Sequence, residues 1–513
     1  MVRQLVKILT FGLVGITISL FGQKPFDQHA VDRYLAQMVE TWDVPSMAVG
    51  VVKDGQLIFT KSYGTKEVGK NEIPNSETLY AIASNSKAFT SALIALLVQE
   101  GKINWDDKVQ KYLPYFQIYD PYLSTQVTIR DLLCHRVGLG TFSGDVIWYK
   151  SDFSAEEIIK RIKHLSPVYD FRSGFGYSNL MFITAGEIIR TVTGKSWADN
   201  LQERIFDVIG MNRSIVGPAL LLEKGNYATP HELENHSVNK PIPWADWTTV
   251  AATGGIISSV NDMAKWMIFN LNNGVWQGDT ILSKSSRNTM WTLHNNYGVD
   301  RYQKNEFNTH FSGYGLGWNL RDYDGNLFVG HTGGYDGMLT SVSLIPDKNI
   351  GVVVLTNGMK SPFMAATYYL VDAMLGREEI DWSTKLLSRM ESNVKADTRI
   401  ADRQRSRVAG THPSLDLSAY AGIYLSDIHG EITISEQDDH LRMEFKHAPA
   451  FSANLDHWHY DVFQIKWDQP SAWFSFGTVK FNFDNNLKIT SIDFDVPNDD
   501  IFFDELNPIR MGG

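Results

Sequence analysis

Apolar residues recur at helical spacing over residues 26 to 42 (Val31, Tyr34, Leu35, Met38, Val39), which predicts a first helix. Two short β-type runs follow, Ser46 to Val52 and Leu57 to Tyr63. They flank Lys53-Asp54-Gly55, whose Asp-Gly pair is a hairpin signal. An apolar helix is predicted from Ser84 to Glu100, stopped by Gly101. Further helices are predicted at 155–164, 179–194 and 261–272. From Leu339 to Asn357 the chain returns to strand character, with Asp347-Lys348-Asn349 as a turn between two runs. Strands at both ends with helices between them predict one α+β domain over 26–382, whose sheet joins those ends.

The pattern changes near residue 382. Residues 383–412 are polar and charged, lack a strong apolar stripe, and read as a partly helical linker. After Pro413 the runs EITIS, LRMEF and VKFNF alternate with period two. Asp438-Asp439 and Asp484-Asn485-Asn486 supply turns between them. Short alternating strands at this spacing predict a small all-β barrel or sandwich over 413–508.

Composition narrows the classes. A chain of 513 residues with 43% hydrophobic and 20% charged residues is globular, and long enough for two domains. A net charge of −11 and the lack of a Lys/Arg run exclude an ordinary nucleic-acid binder. The single cysteine, Cys134, excludes an intramolecular disulfide and a cysteine-built metal site; its apolar surroundings predict a buried small residue. At the N-terminus, Arg3 and Lys7 precede the apolar run Ile8 to Phe21, with small Gly22 at a cleavage point. This predicts a signal peptide over 1–22 and a secreted, periplasmic protein. The run is about 14 residues, short of the roughly 20 needed to span a bilayer. The alternative is an N-terminal membrane anchor; no later segment is apolar enough for a stable span.

Ser84-Asn85-Ser86-Lys87 opens the apolar helix and places Lys87 on the face of Ser84. The helix N-terminus offers Ser84 a backbone N–H and a favourable dipole for a developing oxyanion. Ser-x-x-Lys alone is a weak signal, and a second copy, Ser392-Asn393-Val394-Lys395, falls in the charged linker. Tyr177-Ser178-Asn179 precedes another apolar helix. A free phenol has a pKa near 10, and an ammonium such as Lys87 nearby would favour the phenolate. Two assignments stand: Tyr177 as base, or Lys87 as base with Tyr177 relaying the proton. His331-Thr332-Gly333-Gly334 leads into the strand run at 339–346; its glycines allow backbone to approach a ligand, and the Gly334 N–H can complete an oxyanion hole.

In this order, the three motifs resemble those of the serine β-lactamase and penicillin-binding-protein superfamily. The likeness is to its class C-like branch, which includes DD-peptidases, D-aminopeptidases, esterases and peptidase family S12. TIRDLLCHRVGL at 128–139, GEIIRTVTG at 186–194, GGIISSVNDMAKWM at 254–267 and YGLGW at 314–318 support it. The resemblance covers roughly residues 27 to 375. It implies an antiparallel sheet beside an all-helical region, with the cleft between them. It implies Ser84 as nucleophile, Lys87 and Tyr177 in proton transfer, and Asn179 on the substrate amide. Thr332, with His331 and Gly333, would bind the substrate carboxylate or carbonyl, and the N–H groups of Ser84 and Gly334 would form the oxyanion hole. It implies no cofactor and no metal. The class C β-lactamases carry lysine where this chain has His331, so peptidase or esterase action on small amides, D-residue peptides or esters is expected ahead of β-lactamase or DD-peptidase action. The region after 413 resembles the lipocalin-like C-terminal domain of some relatives.

Other signals are weaker. His231 and His236 are five apart, the wrong spacing for a zinc-protease helix. His457 and His459 share one side of a strand without a third ligand. The rival readings are a non-catalytic sensor of cell-wall peptides and a self-compartmentalising homo-oligomeric peptidase. The expected partner is a small-molecule or peptide substrate.

Overall fold

A computed structural model describes residues 26–234, 237–377 and 380–512. The predicted signal peptide and His236 lie outside the described residues. The first helix forms over Gln28–Trp42, with Asp27 capping its first turn. The hairpin follows as strands Ser46–Lys53 and Gln56–Gly64. Asp54 and Gly55 take φ values of 50° and 77°, the positive pair that a tight hairpin turn requires.

The far end of the domain completes the sheet. Ile350–Thr356 pairs antiparallel with Ser46–Lys53, Met47 opposite Thr356. The sheet has eight strands. From the hairpin outwards come Ile350–Thr356, Met338–Ile345, Asn326–Tyr335, Asn319–Tyr323 and two short edge strands. Alternation along the central strands sends Ala48, Val52, Val353 and Leu355 to one face and Val49, Val51, Val352 and Val354 to the other. On the second face pack the helices Gln28–Trp42 and Phe363–Leu375. On the first face lies the helical region.

The helix predicted from Ser84 is an α-helix over Ser86–Gln99, preceded by a 3₁₀ turn at Ala83–Asn85. Every residue from Ser86 to Leu97 is buried, as an all-round apolar helix must be. Burying a Leu such as Leu93 or Leu97 contributes about 1.5–3 kcal/mol, so this helix is the stable post on which the site is built. The other predicted helices appear as Ala155–Arg161, Asn179–Thr193 and Val260–Leu271.

The polar segment after 382 carries helices Trp382–Ala396 and Arg399–Arg405. Only its start is buried: the Trp382 indole donates to Asp372 at 2.8 Å. Further on, Arg403 pairs with Asp495 of the second domain. The apolar stripe there is short: Leu386, Leu387 and Met390 pack partly buried against the core behind the sheet, and contacts further on, such as Arg403 with Asp495, are ionic. The second Ser-x-x-Lys lies on this helix; Ser392 is exposed and donates to the Ser388 carbonyl.

The predicted barrel or sandwich is a barrel. Its eight strands run from Gly422–Ser426 to Ile509–Arg510 and close on themselves, which leaves no sheet edge. Tyr424, Phe463 and Phe481 pack on one another within it. The barrel docks on the helical region around residues 142–153. Glu505 accepts from Ser143 Oγ at 2.6 Å and Gly144 N–H at 2.7 Å, and the Phe153 ring lies 4.4 Å from His447. Buried residues of both domains form one continuous core.

Candidate active site

Ser84 sits in the 3₁₀ turn that feeds the central helix. Ala83 just before it has φ 46°, a left-handed conformation costly for a residue with a Cβ. Asn85 holds the turn: its Nδ2 donates to the Ile82 carbonyl at 2.8 Å and to Thr340 Oγ1 at 3.1 Å. The strand Asn326–Tyr335 packs directly on this turn. A Cβ on Gly333 would stand 2.2 Å from the Ile82 carbonyl oxygen, so only glycine lets the third motif approach the first.

Lys87 follows one turn on, fully buried. Its Nζ lies 3.1 Å from Ser84 Oγ, 2.7 Å from Asn179 Oδ1 and 2.7 Å from the Thr253 carbonyl. Burial pushes the amine well below its usual pKa, against the opposing charge of Asp145. Lys87 Nζ is 4.8 Å from the centre of the Tyr177 ring. The Tyr177 hydroxyl is buried, faces Ser84 and has no formed hydrogen bond among the described residues. Its pKa is raised rather than lowered. Burial dominates, and the nearby Ser84 hydroxyl opposes it only in part. The phenolate favoured by a neighbouring ammonium therefore does not arise: in this desolvated site both groups lean to their neutral forms.

Asn179 begins its helix and ties the centre together. Its Oδ1 accepts from Lys87 Nζ and, at 2.7 Å, from Thr253 Oγ1; its Nδ2 donates to Asp145 at 2.6 Å. Asp145 also accepts from the Trp148 indole at 2.8 Å, and burial pushes its pKa up to about 8. Nothing in the sequence marked Asp145, Thr253 or Asn85.

His331 is buried and lines the cleft, but both ring nitrogens are engaged. Nδ1 is 2.6 Å from the Thr332 carbonyl, so it carries the proton; Nε2, 2.8 Å from Tyr314 Oη, accepts. Burial lowers its pKa to about 3, so the ring is neutral. Thr332 is exposed to the cleft. The strand Asn319–Tyr323 pairs only as far as Gly330, which leaves the 331–335 backbone open on that side. The cavity these groups line measures about 570 Å³. Ser84, Tyr177, Asn179, Thr332 and Gly334 share it with the barrel residues Trp473, Asp500 and Ile501. The barrel's contribution was not foreseen; no local pattern tells which loop of a second domain will face a cleft.

The remaining candidates stay apart from the cleft. His231 is held by the Val68 N–H at 3.0 Å and the Asn357 carbonyl at 2.9 Å. His459 accepts from the Val408 N–H at 3.1 Å, and His457 is bonded to the Tyr460 carbonyl. Cys134 is buried, its thiol pushed up to about 12 by desolvation.

The family described as Beta-lactamase matches residues 31–374. The chain belongs to the beta-lactamase family. A domain of unknown function (DUF3471) matches residues 406–508, the barrel. An unguisins hydrolase of Aspergillus campestris is 29% identical over 430 residues, covering 80% of this chain and 78% of that protein. Protein flp of Staphylococcus aureus is 25% identical over 342 residues, covering 64% of this chain and 63% of its own. Among solved structures, an octameric penicillin-binding protein homologue from Pyrococcus abyssi superposes with TM-score 0.62 at 21% identity, covering 92% of this chain and 98% of that one; at this identity the likeness is one of fold. With its family and the unguisins hydrolase relative, the chain is a serine hydrolase. No helix among the described residues is long and apolar enough to cross a membrane.

Proposed function

We propose that the protein hydrolyses small amides, peptides including those with D-residues, or esters through an acyl-enzyme on Ser84. One observation carries the mechanism: the three partners of Lys87 Nζ. A neutral amine has two N–H donors and one lone pair. Asn179 Oδ1 and the Thr253 carbonyl can only accept, so they take the two N–H groups. The lone pair is left for Ser84, and Lys87 is the general base. Ser84 Oγ attacks the substrate carbonyl carbon as its proton passes to Lys87 Nζ. The oxyanion is held by the N–H groups of Ser84 and Gly334. The neutral Tyr177 phenol stands beside Ser84 and relays the proton to the leaving group. Water then enters by the same route in reverse and releases the acid.

Asn179 and Thr332 orient the substrate amide and its carboxylate or carbonyl. Gly333 keeps the strand close, and His331 shapes the wall without a free N–H to offer. A screen of D-amino-acid amides, p-nitrophenyl esters and nitrocefin, with Ser84→Ala as control, tests the reading. Turnover by wild type alone is expected. A folded wild-type protein that neither turns over any of them nor reacts with a fluorophosphonate overturns it and leaves a peptide sensor. We further propose that residues 1–22 direct secretion to the periplasm and that the barrel is lipocalin-like. The octameric homologue makes self-association a fitting arrangement, which light scattering reads directly.

A further inference from the structure

A side-chain amide has an acceptor end and a donor end of nearly the same shape. Packing alone would let Asn179 present either one to Lys87. The bonds around it leave one choice. Lys87 Nζ and Thr253 Oγ1, each at 2.7 Å, both donate to Asn179 Oδ1 and fill its two lone pairs. At the other end Nδ2 donates to Asp145 Oδ2 at 2.6 Å.

Asp145 is the group that decides the sense. A hydroxyl and a neutral amine can each donate or accept, so neither Thr253 nor Lys87 dictates which end faces them. An ionised carboxylate only accepts, and an indole N–H only donates. Asp145 Oδ1 takes the Trp148 indole at 2.8 Å, which leaves Oδ2 for the Asn179 amide N–H. Asp145, Trp148 and Asn179 are all buried. Their segments are pressed together at Gly144, where a Cβ would stand 2.6 Å from Leu180 Cδ1, next to Asn179. A reversed amide would turn Nδ2 towards Lys87 Nζ. The amine lone pair would then accept from that N–H, and Ser84 would lose its base.

We propose that Asp145 is a positioning residue of the hydrolase: its carboxylate locks the Asn179 amide, and the lock aims the Lys87 lone pair at Ser84. The inference rests on the hydrolase reading above. Burial resists the charge on Asp145 and pushes its pKa up to about 8, so the lock forms as that carboxyl ionises. Asp145 feels the charges of Lys87 and Asp500. His135, His331 and Tyr177 lie around Lys87, and burial holds all three neutral.

The rate of Ser84 labelling by a fluorophosphonate, followed from about pH 5 to 10, reads the base without a preferred substrate. Asp145→Asn keeps the size of the side chain but offers one acceptor to two N–H groups, so it satisfies Trp148 or Asn179 and not both. Its plateau rate is expected to fall about ten-fold, the worth of one misdirected hydrogen bond. Its pH limb is expected to move to lower pH. The acid that had to ionise is gone, and no negative charge is left to raise the Lys87 amine.

The exchange Asp145→Asn/Asn179→Asp restores every bond. The indole donates to the new amide oxygen, the new amide N–H to the carboxylate now at position 179, and Lys87 and Thr253 to its other oxygen. Most of the lost rate is expected to return, with the limb above that of wild type, because a carboxylate now touches the amine directly. Unchanged labelling in Asp145→Asn overturns the proposal, as does a slower rate with an unmoved limb, which is a merely structural effect. So does a folded exchange variant that is labelled no faster than Asp145→Asn. If Asp145→Asn does not fold, the exchange variant still decides: labelling with a raised limb supports the lock, and a folded protein without labelling overturns it. The failures stay distinct. A wild type labelled at Ser84 keeps the hydrolase reading whatever these variants do, whereas a folded wild type that is not labelled loses both.

Discussion

At the floor of the cleft, Lys87 Nζ meets three partners within 3.1 Å, and Asn179 is fixed at both ends of its amide. On the barrel side, Trp473 is held by one indole bond, and the Asp500 carboxylate accepts none among the described residues. The floor is preorganised for one reaction, with its groups held by packing and mutual hydrogen bonds. The reacting groups and part of the cavity wall are thus divided between two domains that share one cavity.

The largest test of this division removes the nucleophile. Ser84→Ala is expected to lower turnover by about 10⁴-fold or more and to abolish fluorophosphonate labelling. Lys87→Met follows, with a loss of about 10²–10⁴-fold, as for removal of a general base. Because the amine is lowered by burial, the rise of wild-type kcat/KM with pH is expected to be complete well below 10.5. A profile that climbs to the ordinary lysine range would assign the base elsewhere.

Gly333→Ala probes how tightly the floor is packed. Its Cβ would stand 2.2 Å from the Ile82 carbonyl oxygen, and overpacking of this kind costs about 1–3 kcal/mol. A lowered melting temperature with weakened Ser84 labelling is expected. An unperturbed variant would show that the strand is free to move off the nucleophile turn.

The junction between the regions has its own acid sensitivity. His429 is fully buried beside Phe153, neither ring nitrogen has a partner among the described residues, and desolvation lowers its pKa from 6.5 to about 3. Above pH 6.5 both folded and unfolded forms are neutral. Below it the unfolded chain takes up a proton that the folded chain refuses, so stability falls with pH until about 3. The loss is about 2 kcal/mol between pH 6.5 and 5. His429→Leu is expected to remove that share of the slope in urea unfolding; an unchanged slope would place the acid sensitivity elsewhere. The smallest effect is expected from Glu505→Gln, which weakens the bonds to Ser143 and Gly144 by about 1 kcal/mol. A change in substrate ratios with Ser84 labelling intact would sharpen the division; a fall in labelling would blur it.

Much of the floor was legible in the sequence because its groups open or precede apolar helices, where pattern and chemistry coincide. Ser84 and Lys87 lie one turn apart, and Asn179 starts the next buried helix. The hairpin at Asp54-Gly55 and the alternation in the barrel strands were equally readable, since each depends on neighbours in sequence. Asp145 was not: its role depends on meeting Asn179 from 34 residues away through a segment with no marked periodicity. The strained Ala83 was hidden because a left-handed alanine leaves no trace in composition. The protonation states were missed for a related reason. Sequence shows that an amine and a phenol are present, but only burial tells that both lean to their neutral forms. Trp473 and Asp500 depend on how two independently patterned domains dock, which no local rule encodes.

The sheet that unites the ends of the first domain also sets a timetable for biosynthesis. Met47 lies opposite Thr356, so the opening hairpin waits for about 300 residues of further translation before its inner edge is covered. At about 5–20 residues per second, that is on the order of 15–60 s with one edge of an apolar strand uncovered on the ribosome. Chains that stop before Ile350 carry that edge permanently, along with a nucleophile turn whose neighbouring sheet was never finished. For this protein, aggregation of incomplete chains is a hazard written into the order of its strands.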